Sequence, residues 1–540
     1  MRHLLARLSI VVLASAACAV MLVLATGLAV TDFAGASDNG DGSRLYCGAA
    51  LVPTTPQQKS DWMGGVIEFY EVDSTSLQTC QDPIPSAALT MLKAAVGEAP
   101  DGTIFDIRAL GWFYVAAFAA VTAIAAWATT AAALWRVLYL VPMMAPLANT
   151  DFARFLLSTY GEPAGLLGTY AMLGGTAGIL ATTPRHRITR AVALALVAGG
   201  GLFTVWAKVA YAPVLIAAFV VCAVTAVGLT KSADGWPSRI VGPVFAGLLI
   251  ILGVPIVQSG VQWQDRNYAD GNVHNLIYTA VLVEIPGAAG LLGLPREAAQ
   301  YAGTPIQTSA LDKPGRAEIA ADPQEFRSRA IRMLLVSPEV LSHGLGLGLQ
   351  ATQGRDLVYL ESDPWEPGAQ FVNKPSTDED KVLSAGQQSA TATSLGFWLG
   401  RMPLPWLPAV LVGIGLAVGL LGLLFRQLLA SSFAILAGVA AATSLALVAA
   451  ALADGYFELA KHVWLASYLV DVVALALAGA VLMLPPEAVR WTRGHRHHGE
   501  AAPRHAAGSP PAAPAPESPP AAVPVEVGHG PAVTVPASGP

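Results

Sequence analysis

Charge is scarce in this sequence. Aspartate, glutamate, lysine and arginine make up 13% of the 540 residues, whereas hydrophobic residues make up 54%. An average soluble globular domain carries about twice that share of charge, so the composition argues against this class. The sequence also lacks a GxxxxGK[ST] phosphate loop and a basic stripe with interleaved aromatic residues. These absences argue against a nucleotide-dependent cytosolic enzyme and a nucleic-acid partner.

Cysteine is also rare, with four residues in the chain. Cys18 and Cys222 lie within apolar runs, where a thiol packs as a small hydrophobic side chain. Cys47 and Cys80 lie in one polar segment. If that segment faces an oxidising compartment, they predict a disulfide, and two free cysteines are the alternative.

Long apolar runs recur along the chain, each close to the roughly 20 residues that a helix needs to cross a bilayer. They predict an α-helical integral membrane protein with about ten transmembrane helices. The predicted spans are residues 8–30, 109–132, 134–148, 163–182, 188–207, 211–229, 239–258, 405–425, 429–452 and 464–484. The third contains two prolines, which favour a broken or partly re-entrant helix.

Lysine and arginine in the short loops set the expected orientation. They fall on one side of an even number of spans, so both termini are expected to be cytoplasmic in a plasma (inner) membrane protein. A cleaved signal peptide is the alternative to an N-terminal anchor. The predicted divisions are an anchor helix at 1–30, a first extracytoplasmic loop at 31–108, helices 2–7 at 109–258, a large extracytoplasmic segment at 259–404, helices 8–10 at 405–484 and a disordered Pro/Ala-rich cytoplasmic tail at 485–540.

Two carboxylates and an arginine follow the first span in "DNGDGSR". The dipeptides Asn-Gly and Asp-Gly predict a tight turn whatever the function. The spacing fails the EF-hand calcium pattern, and no metal site is predicted. Beyond a plain turn, Asp38 and Asp41 beside Arg44 suggest an ionised carboxylate that could act as a general base.

Further charged residues lie at the predicted outer ends of the spans. In "NTDFARFLLSTYGEP", Asp151, Tyr160 and Glu162 precede the fourth span, where acids also suit a helix start. In "WAKVAYAP", Lys208 and Tyr211 follow the fifth span. The lysine either snorkels to the interface or holds a lipid phosphate.

Two more segments complete the set. "ADGYFELAKH" places Glu458, Lys461 and His462 at helical spacing, with Glu458 and His462 as an i,i+4 pair. Charge this dense is costly near lipid, which favours a functional or tightly paired role. Arg266 follows the seventh span, either on a sugar- or phosphate-contacting surface or in an ordinary wet loop. Asp471 lies inside the last span, where an intramembrane carboxylate is a candidate site residue.

Several stretches resemble bacterial GT-C membrane glycosyltransferases, most of all actinobacterial hexose transferases of glycan biosynthesis. They are "NGDGSRLYCGAAL", "FLLSTYGEPAGLLG", "AKVAYAP", "YTAVLVEIPGAAGLLGLPREAAQYAGT" and "ADGYFELAKH". The family carries adjacent acids followed by arginine in its first outer loop. Here Asp41 and Arg44 fit that form, but Gly42 stands in place of the second acid. The family's acidic position near the second outer loop maps best to Glu162 and less well to Asp151.

The resemblance implies an inverting hexosyltransferase that uses a polyprenyl-phosphate sugar on the outer face, without a nucleotide or other cofactor. Asp41 would be the general base and Glu162 a second catalytic carboxylate. The expected partners are the bilayer, the lipid-linked hexose and a glycan or protein acceptor. A flippase or transporter of lipid-linked glycans and a non-catalytic envelope-assembly protein are the alternatives. If the enzyme reading holds, Asp41, Glu162 and Lys208 should converge on one cavity.

Overall fold

The computed structural model describes residues 2–29, 33–36, 41–54, 67–80, 82–227, 239–306, 313–354, 404–425 and 429–499. Residues 1–487 form one compact unit. Residues 488–540 form a second, of which the structure describes the helical stretch to Gly499. Asp38 and the predicted tail from residue 500 onward lie outside the described residues.

Within this described part, eight helices are long and apolar enough to cross a membrane, and the protein is an α-helical integral membrane protein. A helix satisfies its own backbone N–H and C=O groups, which lipid cannot do. The eight are α1 (Arg2–Thr26), α2 (Ile107–Thr129), α3 (Glu162–Ala181), α4 (Arg187–Ala207), α5 (Val241–Asn275), α6 (Leu407–Leu424), α7 (Leu429–Ala451) and α8 (Trp464–Gly499). α8 continues past residue 484, where the predicted span ended.

In the part of the chain that the structure describes, the other two predicted spans are shorter than a full crossing, so eight long helices are found where about ten were expected. The third span is a 3-10 helix Leu134–Leu140, a turn of α-helix Val141–Met144 and a 3-10 helix Ala145–Ala148. Its two prolines lack the backbone N–H that a continuous helix needs. The sixth span is a 3-10 turn Val209–Tyr211 followed by the helix Ala212–Ala223.

α5 extends well beyond residue 258, the predicted end of its span. It reaches Asn275, and a π-helix over Leu276–Val281 and a helical turn over Leu282–Glu284 follow without a break. The sequence prediction missed this extension because the polar stretch "QWQDRNYADGN" ends the apolar pattern on which it depended. Part of the predicted segment 259–404 is therefore helical and continuous with a membrane helix.

Small residues let α3 and α4 pack at very short distance. A Cβ atom on Gly168 would lie 2.7 Å from the backbone oxygen of Gly200, and one on Gly200 would lie 2.5 Å from that of Gly168. A larger residue at either position would force the helices apart. The contact fixes the beginning of α3 against the end of α4, and those two ends carry Glu162 and Lys208.

The segment between α1 and α2 contains a small antiparallel sheet. Its strands β1 (Leu51–Pro53), β2 (Phe69–Val72) and β3 (Ile104–Asp106) lie in the order β1-β2-β3. Leu51 pairs with Val72, and Tyr70 pairs with Phe105. We call this segment the cap. It joins the membrane helices on the side where α1 and α4 end and α3 and α8 begin, which we call the cleft side.

A disulfide and a short helix complete the cap. Cys47 and Cys80 are bonded, with their Cα atoms 5.5 Å apart. Cys18 and Cys222 are free and buried. The helix Ala87–Val96 begins at Ser86, whose hydroxyl accepts a hydrogen bond from the Leu89 N–H at 3.2 Å. Such a side-chain cap satisfies one of the N–H groups that a helix start leaves unpaired.

The remaining described elements are short helices. They are Ser43–Tyr46, Cys47–Ala49, Ser76–Thr79, Thr150–Ala153, Arg154–Leu157, Ala288–Leu292, Arg296–Tyr301, Arg316–Ala321, Pro323–Val336, Pro338–Ala351, Leu452–Asp454 and Leu459–His462.

Candidate functional site

A cleft opens between the cap, the start of α3, the end of α4 and one side of α5. Asp41 and Arg44 line it from the cap, Glu162 from the first turn of α3, Lys208 from the residue after α4, and Trp263 from α5. The convergence expected for Asp41, Glu162 and Lys208 is therefore present. A cleft of this kind brings opposite charges from distant parts of the chain within reach of one ligand.

A tight turn holds Asp41 and Arg44 together. The Arg44 N–H donates to the Asp41 carbonyl at 3.3 Å, and the Leu45 N–H donates to the Gly42 carbonyl at 3.0 Å. This is the turn that the Asp-Gly dipeptide predicted. Arg44 Nη2 lies 2.7 Å from Asp41 Oδ1, and the guanidinium lies 4.1 Å from the ring centre of Tyr268. Arg44 is thus fixed by an ion pair on one side and an aromatic ring on the other.

Lys461 gives Asp41 a second cation. Its Nζ contacts Asp41 Oδ2 and lies 3.3 Å from Glu458 Oε2, and the residue is 5% exposed. Burial works against the charged amine, but the carboxylates of Asp41 and Glu458 outweigh it and raise the pKa of Lys461.

The same contacts act in the opposite direction on Asp41. Burial alone would raise the pKa of this carboxyl, but the positive charges of Lys461 and Arg44 outweigh burial and hold the pKa well below its ordinary value. Asp41 is therefore ionised at neutral pH.

A second ion pair faces the first across the cleft. Lys208 Nζ lies 2.9 Å from Glu162 Oε1, and the side chains are 25% and 4% exposed. Glu162 is the first residue of α3, where the unpaired N–H groups of a helix start favour a negative charge. Lys208 ends α4, and a Cβ on Gly161 would lie 3.2 Å from the Ala207 carbonyl. The close approach of the two helix ends brings the pair together.

The segment 454–462 differs from its prediction. Glu458 adopts a left-handed conformation with φ of 50°, directly before the helix Leu459–His462. It therefore does not share a continuous helix with His462, and the predicted i,i+4 pair is wrong. His462 Nδ1 instead lies 3.6 Å from Asp454 Oδ2. Burial lowers the pKa of His462, against the opposing effect of Asp454.

The other predicted site residues divide into two groups. Tyr160 lines the cleft, and the buried Tyr211 ring lies 5.7 Å from Lys208 Nζ. Asp151 and Arg266 do not line the cleft. Asp151 is buried, and its carbonyl accepts a hydrogen bond from Trp464 Nε1 at 3.2 Å. Arg266 forms an exposed ion pair with Asp82 at 3.1 Å. The geometry gives no support to a substrate contact by Asp151 or Arg266.

Sequence reasoning missed two tryptophans of the site. Trp206 and Trp263 line the cleft. Tyr268 packs against Arg44. Trp263 Nε1 also donates to the Asp82 carbonyl at 2.8 Å, which ties α5 to the cap. Each tryptophan lies next to a polar motif near the end of a predicted span, and this position could have indicated a site residue. Tryptophan is also common at the membrane–water interface without any role in a site.

The chemistry of the site is that of paired charges. Asp41, Glu162 and Glu458 carry negative charge, and Arg44, Lys208 and Lys461 carry positive charge. A carboxylate has about four lone-pair sites, so Asp41 can accept a hydroxyl proton beside its two cations. Among the residues that the structure describes, no group of three or more His, Cys, Asp or Glu is placed to hold a metal ion.

Comparison with known proteins gives one match. The family model described as the YfdI N-terminal transmembrane domain matches residues 2–303. This range contains Asp41, Arg44, Glu162 and Lys208, whereas Lys461 lies beyond it. No curated protein matches the chain. No solved structure matches it.

Proposed function

The chain belongs to the family of the YfdI N-terminal transmembrane domain, and from this premise we propose that it is a membrane glycosyltransferase of the GT-C type. It transfers a hexose from a polyprenyl-phosphate donor to a glycan or protein acceptor of the cell envelope. The observation that carries the proposal is the cleft, which gathers Asp41, Glu162, Arg44 and Lys208 at one end of the membrane helices. A lipid-linked sugar presents its phosphate and reactive carbon at that depth.

The reaction is a single displacement. The acceptor hydroxyl oxygen forms a bond to the anomeric carbon, and Asp41 takes the proton of that hydroxyl. The bond from the anomeric carbon to the phosphate oxygen breaks, and its electron pair leaves with the lipid phosphate. One displacement at this carbon inverts its configuration, and the transition state has oxocarbenium character.

The low pKa of Asp41 keeps the carboxylate ionised and also makes it a weak base. A carboxylate held by two cations is a weak base, so it takes little proton density from an unreacted hydroxyl. The hydroxyl becomes strongly acidic as its oxygen bonds to the electron-poor carbon. Asp41 therefore receives the proton late. General-base catalysis of this kind contributes about 10²–10⁴ in rate.

The other charged residues of the cleft stabilise charge that develops in the reaction. Glu162 offers a negative charge to the oxocarbenium-like sugar, and Lys208 and Arg44 offer positive charge to the departing phosphate. Tyr160 completes the wall of the cleft near this pair. Lys461, Glu458 and His462 lie behind Asp41, and their proposed role is to set its charge and position.

The proposed location is the outer face of the plasma membrane. The arginines at 185, 187 and 190 follow the end of α3 that lies away from the cleft, and basic residues favour the cytoplasmic side. Both termini would then be cytoplasmic, and the cap and its disulfide would face the oxidising side. A donor carried by a polyprenyl phosphate needs no nucleotide in the cleft.

The test is Asp41→Asn in isolated membranes supplied with a polyprenyl-phosphate hexose. Asp82→Asn is the matched control, because Asp82 is an exposed carboxylate paired with Arg266 outside the cleft. We expect Asp41→Asn to lower transfer by at least about 10²-fold with unchanged membrane insertion, and Asp82→Asn to stay within about twofold.

Transfer at the wild-type rate by Asp41→Asn would remove Asp41 from the mechanism. Mass spectrometry of envelope glycans from cells with and without the protein identifies the sugar and the acceptor. If no glycan differs and no transfer occurs with any polyprenyl-phosphate hexose, the proposed function is wrong.

A further inference from the structure

The loop at residues 454–462, which we call the lysine loop, leads into α8 and holds Lys461 against Asp41. It consists of the end of a 3-10 turn, an irregular stretch and the four-residue helix Leu459–His462. The Lys461 and His462 N–H groups both donate to the Glu458 carbonyl, at 2.9 and 3.1 Å. The position of Lys461 therefore depends on both ends of the loop, on α8 at its end and on the contacts that fix its start.

Thr279 forms a hydrogen bond that anchors the start of the lysine loop. Its hydroxyl donates to the Asn275 carbonyl at 2.6 Å and accepts a hydrogen bond from the Tyr456 N–H at 2.8 Å. Thr279 is 6% exposed, so both bonds are shielded from water. A hydroxyl that satisfies two backbone groups at once joins them as a short cross-link.

The π-helix over Leu276–Val281 makes this contact possible. A π-helix inserts one extra residue into a turn, and such turns occur frequently at functional sites. Here the turn brings Thr279 and Asn275 against Gly455. A Cβ on Gly455 would lie 2.5 Å from the Asn275 carbonyl and 2.5 Å from Thr279 Oγ1. Gly455 also has a positive φ of 79°, which glycine adopts without strain.

Glu458 shows that the loop is under constraint. A glutamate in the left-handed region is strained and persists when its surroundings impose it. In this conformation its carboxylate lies 3.3 Å from Lys461 Nζ. Strain of this kind at a charged cluster is a mark of a functional position.

We propose that Thr279 is a positioning residue of the reaction centre, because its hydroxyl fixes the lysine loop and thereby keeps Lys461 on Asp41. Without this bond the start of the loop loses its backbone anchor on the π-helix and keeps the hydrogen bond from the Tyr456 hydroxyl to Glu284 Oε1 at 3.0 Å. Lys461 then spends less time on Asp41, and the carboxylate becomes easier to protonate. The part of this inference that concerns catalysis rests on the proposed glycosyltransferase function, whereas the part that concerns Lys461 does not.

The test uses Thr279→Val, which keeps the branched shape and removes the hydroxyl, with Thr279→Ser as the control that keeps the hydroxyl. The first measurement is the reaction of Lys461 with an amine-reactive ester in the membrane-embedded protein, followed by mass spectrometry of its peptide. We expect slow labelling in wild type and Thr279→Ser, and labelling about tenfold faster in Thr279→Val.

The second measurement is the pH profile of hexose transfer. In wild type and Thr279→Ser, Asp41 should stay ionised across the accessible acid range, so its protonation causes no loss of rate there. In Thr279→Val the pKa of Asp41 moves up toward its ordinary value, and the rate should fall on the acid side at a higher pH. We expect kcat to fall about tenfold with little change in the KM for the donor.

The two measurements separate the possible failures. Equal labelling of Lys461 in wild type and Thr279→Val overturns the inference, and so does faster labelling of both variants, because the hydroxyl would then be irrelevant. A lower kcat with an unmoved acid limb also overturns it, since a general structural defect would suffice. If no hexose transfer is found in any variant, the proposed function fails, and the labelling of Lys461 still decides the role of Thr279.

Discussion

Glu162 has a buried charge that one neighbouring side chain balances at hydrogen-bond distance. Its side chain is 4% exposed, whereas Lys208 is 25% exposed and borders the cleft. A buried ion that loses its partner is strongly destabilising, because it has given up water without compensation. Lys208 therefore stabilises the buried charge of Glu162. In the proposed reaction it also binds the lipid phosphate.

Lys208→Gln separates these tasks when it is combined with Glu162→Gln. We expect Lys208→Gln alone to lower the unfolding free energy by about 2–5 kcal/mol, measured by thermal unfolding in detergent. The double variant should recover most of this loss, because no unpaired charge remains. It should still transfer hexose at least about tenfold more slowly than wild type.

If the double variant is as unstable as Lys208→Gln, the loss of stability does not come from the broken ion pair between Lys208 and Glu162. A double variant with wild-type transfer would remove both residues from the proposed mechanism.

At the scale of elements, sequence pattern predicted what depends on long runs and missed what depends on single residues. Apolar runs near 20 residues predicted the eight long helices, because lipid permits few alternatives. The left-handed Glu458 gave no signal, since glutamate rarely adopts that conformation and the constraint comes from tertiary contacts. The π-helix at Leu276–Val281 was missed for a similar reason, because its residues also suit an ordinary helix.

The tight α3–α4 contact can be tested with two neighbouring glycines of α4. A Cβ on Gly200 would press on the Gly168 carbonyl, whereas a Cβ on Gly199 would meet nothing within 4 Å. We therefore expect Gly200→Ala to lower the melting temperature in detergent and to reduce transfer, since the helix ends that carry Lys208 and Glu162 move apart.

Gly199→Ala is the control, and we expect it to be neutral or slightly stabilising, because alanine favours helix and the space is open. Equal effects of the two substitutions would show that the α3–α4 contact does not control the site.

At the scale of the whole molecule, the sequence predicted which residues lie at the candidate site, but it did not predict which of them form ion pairs. Asp41, Glu162 and Lys208 were expected on one cavity because each charged motif lay at a predicted outer helix end. That Asp41 pairs with Lys461, 420 positions later, could not be predicted from spacing. The sequence around a carboxylate does not show which of several distant cations will pair with it. The packing of the helices determines that pairing.

The orientation of the molecule in the membrane is testable with single introduced cysteines. Glu98→Cys lies on the exposed surface of the cap, and Thr183→Cys lies in the exposed loop after α3, at the opposite end of the helices. In intact cells, we expect a membrane-impermeant thiol reagent to label Glu98→Cys and to spare Thr183→Cys until the membrane is opened. The reverse pattern would put the cleft in the cytoplasm and exclude a donor on the outer face.

The ion pair between Asp41 and Lys461 also bears on how the protein is made. Translation delivers the aspartate among the first residues and the lysine among the last, with most of the membrane helices inserted in between. Until the ribosome has passed residue 461, the nearby cations available to Asp41 are Arg44 and Lys208, and Lys461 is absent. The Asp41–Lys461 pair therefore forms only after seven of the eight long helices that the structure describes have been synthesised.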